Sequence, residues 1–65
     1  LISAQALREA LARLSPKYRE VVILHEMEGL TYEECARVLR VPVGTVKSRL
    51  YYAFKTLRDL LKEDL

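Results

Sequence analysis

At 65 residues and a net charge of +2, the chain is expected to hold one small domain with a modest core and no room for an enzyme pocket behind a thick wall. Its hydrophobic share of 51% excludes a disordered tail, and with only two Gly and two Pro among abundant Leu, Ala, Arg and Glu it points to an all-α fold. The lone Cys35 excludes a disulfide framework or metal cluster, and no apolar run can span a membrane or serve as a signal peptide.

Caps, breakers and apolar spacing predict four helices, at about 3–14, 16–28, 32–39 and 43–62. In the first, Ser3 is the cap and Leu7, Leu11 and Leu14 share a face. Ser15-Pro16 starts the second: serine accepts from a free amide, and proline at the first helical position gives up a hydrogen that had no partner. Its apolar positions are Tyr18, Val21, Val22, Leu24 and Met27, with Ile23 nearby, and Gly29 ends it.

The third helix has the clearest start. Thr31-Tyr32-Glu33-Glu34 fits a capping box, and Cys35, Ala36, Val38 and Leu39 form a short apolar stripe. Cys35 reads as a small buried apolar residue rather than a reactive thiol. Pro42 biases Val41 away from helical geometry, so this helix stops near Arg40. The fourth begins at Pro42 or Val43 and carries Val46, Leu50, Ala53, Leu57 and Leu61 at helical spacing. Asp59, Glu63 and Asp64 oppose the dipole near its end, where fraying is expected.

A short third helix, a tight turn and a longer fourth make a helix-turn-helix, in which one helix props the other against the major groove. Charge is segregated accordingly. From Glu20 to Glu34 there are five glutamates and no Lys or Arg; from Arg40 to Arg58 there are Arg40, Lys47, Arg49, Lys55 and Arg58 and no acid. Charge alone leaves two readings open, a polyanion-binding surface or two solvated faces. At about 100° per residue, the face opposite the apolar stripe carries Gly44, Thr45, Ser48, Tyr51, Tyr52 and Lys55, flanked by Lys47 and Arg49. Two roles are open to the tyrosines: contacts to sugars, thymine methyls or phosphates, or lateral packing against the second helix. Phe54 falls on the flank of the stripe and reads as packing.

The chain resembles region 4 of bacterial sigma factors of the sigma-70 family, especially the extracytoplasmic-function (ECF) type. The likeness covers nearly the whole chain: Ala10-Leu11, Leu14-Ser15-Pro16, Arg19-Glu20-Val21-Val22, Gly29-Leu30-Thr31-Tyr32-Glu33-Glu34 and Ala36. Its most specific part is Val41-Pro42-Val43-Gly44-Thr45-Val46-Lys47-Ser48-Arg49-Leu50. The resemblance implies a winged-helix-like arrangement without a wing, placed by the flap of the polymerase β subunit in the major groove of the double-stranded promoter −35 element. It implies base and phosphate contacts from Lys47, Ser48, Arg49, Tyr51 and Tyr52, with support from Tyr32 and His25. Lone histidines cap or decorate surfaces more often than they bind, a second reading for His25. Three positions depart from the pattern. Tyr52 and Phe54 stand where the family usually has arginine. Arg40 stands at a turn position where glycine is common and where a left-handed backbone would cost about 1 kcal/mol.

Two other functions fit the same helices: a protein-interaction module covered by an anti-sigma factor, or a regulator of the response-regulator type dimerising through Leu57, Leu60, Leu61 and Leu65. An enzyme does not fit, because there is one His, one Cys, no paired acid–base constellation and no phosphate-cradling glycine loop; no cofactor or metal is expected. Leu1 in place of Met suggests a piece of a longer chain, and the cysteine usage suits a reducing cytoplasm.

Overall fold

The computed structural model describes residues 2–63, with the backbone alone at Glu63. The elements are α1 (Ala4–Arg13), α2 (Pro16–Val22), which runs directly into a π-helical turn at Ile23–Met27, α3 (Tyr32–Leu39) and α4 (Val43–Glu63). Among the described residues there is no strand, and no helix is long and apolar enough to cross a membrane. The expected loosening at Asp64 and the seam position Leu65 lie outside the described residues.

Local chemistry sets each boundary. The Ser3 hydroxyl accepts from the Ala6 amide at 3.0 Å and starts α1. Leu14 turns extended (φ −72°, ψ 147°) and ends it. Ser15 precedes α2 with Pro16 in the first turn, but its hydroxyl makes no capping bond, contrary to expectation. The amide it would have reached, that of Tyr18, is already donated to the Ser15 carbonyl at 3.1 Å. Arg19 ties this corner by donating from Nη2 to the Leu14 carbonyl at 3.0 Å.

The second helix does not stay regular to Glu28. The Glu28 amide reaches back five residues to the Ile23 carbonyl (2.9 Å) and the Leu30 amide reaches Leu24 (3.0 Å), a widened turn of the kind that clusters at functional positions. Gly29, at φ 76°, reverses the chain there, a conformation that favours glycine. The capping box that follows is complete. Thr31 Oγ1 accepts from the Glu34 amide at 3.1 Å, and Glu34 Oε1 accepts from the Thr31 amide at 2.9 Å. Those bonds, the backbone one first, hold the Glu34 carboxyl below its ordinary value of 4.5. Arg40 closes α3 in the left-handed region, φ 58° and ψ 46°, the conformation that glycine occupies more easily. Pro42 then offers its carbonyl to the Thr45 and Val46 amides and launches α4.

α4 packs against α1, α2 and α3. Its Val46, Leu50, Ala53 and Leu57 are buried with Ala10, Leu11, Leu14, Val21, Val22, Cys35 and Ala36. Cys35 has no exposed surface, and burial, then the neighbouring Glu34 carboxylate, pushes its thiol up, which suits a small apolar packing residue. Ala36 is small where α3 meets the core, and Leu60 and Leu61 cover that core partly.

Three expected core positions are corrected. Val38 is 59% exposed, because it lies about 100° around α3 from the centre of the inward set formed by buried Cys35 and Ala36 and partly buried Leu39. Met27 is 62% exposed, because at about 100° per residue it already lies on the side of the second helix away from the buried Val21 and Val22. Leu7 is also exposed, on the same side of the molecule as Met27.

Candidate nucleic-acid interface

Burial of Val46, Leu50, Ala53 and Leu57 determines what the rest of α4 can do. With those four inward, helical geometry turns Gly44, Lys47, Ser48, Tyr51, Tyr52 and Lys55 to solvent, and all six are exposed. Thr45 and Arg49 are half-buried at the margins of this face. No acidic residue occurs on α4 before Asp59, so its first four turns present only polar, aromatic and cationic groups outward.

The two tyrosines form one unit. Tyr51 and Tyr52 are 64% and 53% exposed, and their rings meet edge to face with centroids 5.2 Å apart at 80°. Lateral packing of Tyr51 against α2, one of its two expected roles, is not what holds it; each ring steadies the other. Ser48 donates its hydroxyl hydrogen to the Thr45 carbonyl at 3.1 Å. In that orientation its oxygen offers lone pairs to an incoming donor.

His25 and Tyr32 lie together beside this face. Their rings stack with centroids 4.7 Å apart at 28°. His25 Nδ1 is 2.8 Å from the Leu30 carbonyl, an acceptor, so Nδ1 carries a hydrogen and donates. His25 thus ties down the loop that follows the π turn, while Nε2 lies 3.8 Å from Glu26 Oε1. Lys47 Nζ lies 5.6 Å from the centre of the Tyr32 ring. The structure thus places seven of the expected contact residues in two sets: Ser48, Tyr51, Tyr52 and Lys55 along α4, and His25, Tyr32 and Lys47 where α3 begins.

A second surface escaped the sequence reading. Phe54 is 43% exposed, not packed away, and with Leu7 and Met27 it lines an apolar groove of about 520 Å³ floored by Leu11, Val22 and Leu57. Phe54 sits where the helical stripe gives way to the polar face, too far round α4 for the core to cover. Its signal was present in the sequence, since an aromatic ring replaces a charge the family usually has there. Leu57 is buried in the domain's own core, which removes it from any dimer seam. Among the described residues no three potential metal ligands gather in one place.

Residues 4–57 match the family model described as Sigma-70, region 4. The ECF RNA polymerase sigma factor SigE of Mycolicibacterium smegmatis is 46% identical over 55 residues, 85% of this chain and 21% of that protein. The ECF RNA polymerase sigma factor BldN of Streptomyces coelicolor is 40% identical over 63 residues, 97% of this chain and 24% of its own length. The RNA polymerase sigma factor SigV of Bacillus subtilis is 45% identical over 60 residues, 91% of this chain and 36% of its own. This chain therefore spans between a fifth and somewhat over a third of these three relatives. A match that extends from the first turn of α1 to Leu57, the last buried leucine among the described residues of α4, makes the chain a member of the sigma-70 region 4 family.

Proposed function

We propose that the domain reads the −35 element of promoter DNA as region 4 of an RNA polymerase sigma factor and so directs transcription initiation. The observation that carries this reading is the acid-free outer face of α4, where Ser48, Tyr51, Tyr52 and Lys55 project from a helix anchored by Val46, Leu50, Ala53 and Leu57. A helix so mounted fits the major groove of B-DNA. Lys47, Arg49, Lys55 and Arg58 neutralise phosphates and set the register. Ser48 and the tyrosines, with Thr45 at the margin, meet base edges, while Tyr32 and His25 support the approach from α3 and the π turn. The Ser48 lone pairs favour a base that presents an amino group. The domain works by recognition without chemistry, in the cytoplasm where the polymerase acts.

The apolar groove beside Phe54 supports a second contact. We assign it to the flap of the polymerase β subunit, which would hold the domain over the promoter while α4 enters the groove of the DNA. An anti-sigma factor covering the same helices is the competing occupant, favoured by the exposure of Leu7, Met27 and Phe54 together.

Fluorescence anisotropy with random and −35-like duplexes at two salt concentrations tests the DNA reading. Specific binding that weakens steeply with salt is expected. Binding to polymerase or to an anti-sigma factor, with no DNA binding at low salt, would replace it with the interaction module.

A further inference from the structure

We propose that Tyr32 is a positioning residue for Lys47, and that His25 holds Tyr32 in place to do so. This rests on the reading of α4 as a DNA-facing helix. Lys47 projects from the second turn of α4 on a flexible four-carbon stem, and a free lysine must surrender its rotamer freedom to meet a phosphate. Here the ammonium already lies 5.6 Å from the centre of the Tyr32 ring, within the range at which the ring's electron-rich face attracts a cation. Among the described residues no other cation of α4 has an aromatic ring beneath it.

The ring is itself held. His25 stacks on it at 4.7 Å, and His25 is fixed in turn by the 2.8 Å bond from Nδ1 to the Leu30 carbonyl. The π turn at Ile23–Met27 and the reversal at Gly29 bring His25 and Leu30 within bonding distance. Tyr32 is the first residue of α3, just after the capping residue, so the capping box fixes its backbone while leaving its side chain free to face α4. The chain of contacts Leu30, His25, Tyr32, Lys47 thus runs from the end of the second helix to the recognition helix. It presets the direction of one phosphate-seeking charge.

The test has two arms on the 65-residue chain. In the free domain, NMR is expected to find the Lys47 ε-methylene protons shifted upfield by the Tyr32 ring. The shift persists in Tyr32→Phe, shrinks in His25→Ala and disappears in Tyr32→Leu. In DNA titrations, Tyr32→Leu weakens binding about two- to five-fold, while Tyr32→Phe binds as the parent does. In a Lys47→Met background, Tyr32→Leu produces no further loss. Absence of the upfield shift, failure of phenylalanine to rescue, or equal losses in both backgrounds overturns the role of Tyr32; a shift untouched by His25→Ala overturns that of His25. A parent chain that binds no duplex overturns the DNA reading and the phosphate role of Lys47 with it. The NMR arm still decides whether Tyr32 holds the ammonium.

Discussion

Arg40 offers a direct measurement of the strain in the turn between α3 and α4. Its backbone lies at φ 58°, ψ 46°, where an L-residue is disfavoured by about 1–2 kcal/mol through contact of Cβ with the carbonyl oxygen. Glycine escapes that contact but loses more freedom on folding, by about 0.5–1 kcal/mol relative to alanine. Arg40→Gly and Arg40→Ala both remove a favourable cation from the C-terminal end of α3, so that contribution cancels between them. The difference left is the backbone alone: the glycine variant is expected to be about 0.5–1 kcal/mol more stable than the alanine variant. For a domain of this size that is a gap of about 2–8 °C in melting temperature. The residue is exposed and its amide bond to the Ala36 carbonyl survives either change, so packing does not confuse the comparison. Thermal and urea unfolding followed by far-UV circular dichroism reads the result. A glycine variant no more stable than the alanine variant would show that the turn is not left-handed in solution, and would remove the geometric basis for the angle between α3 and α4.

Lys47→Ala and Arg49→Ala should each weaken duplex binding without loss of helix content, and each phosphate contact removed should flatten the salt dependence by about 0.9 in log–log slope. Unchanged affinity in both would mean that α4 approaches DNA by another face. Val46→Asp places an unpaired charge at a position with no solvent exposure, so its circular dichroism spectrum should be that of an unfolded chain; a folded spectrum would show the stripe to be misassigned. Glu34→Gln should remove part of the acid sensitivity of folding. The Glu34 carboxyl is held below 4.5 by the Thr31 amide and hydroxyl, so its contribution is whole above that pH and lost as the pH falls through the lower folded value. Urea midpoints across an acidic pH series check this, and parallel curves for parent and variant would contradict it. Phe54→Ser, on the exposed groove wall, should reduce retention on core polymerase while leaving the melting temperature close to that of the parent.

Local chemistry made much of the architecture legible before any coordinates. The all-α class follows from composition and spacing. The starts at Ser3 and Thr31, the stop at Gly29 and the break at Pro42 are each written within a few neighbouring residues, because a cap or a turn needs only its own segment. The outward direction of Ser48, Tyr52 and Lys55 was legible too. A 21-residue helix with one apolar stripe has a single way to bury it.

What local pattern could not supply were departures from regular hydrogen bonding and facts that depend on two segments at once. The π turn at Ile23–Met27 interrupts a segment whose residues read as one regular helix. The Ser15 hydroxyl makes no cap where the Tyr18 amide is given to the Ser15 carbonyl, a competition the residue names do not reveal. The groove beside Phe54 and the stack of His25, Tyr32 and Lys47 are made of side chains from separate helices. Sequence by itself determined which residues of α4 face in and out, Phe54 apart, since those directions are set by a repeat of 3.6 residues. Only the tertiary structure decided which outward side chains meet one another, because that depends on how the helices cross.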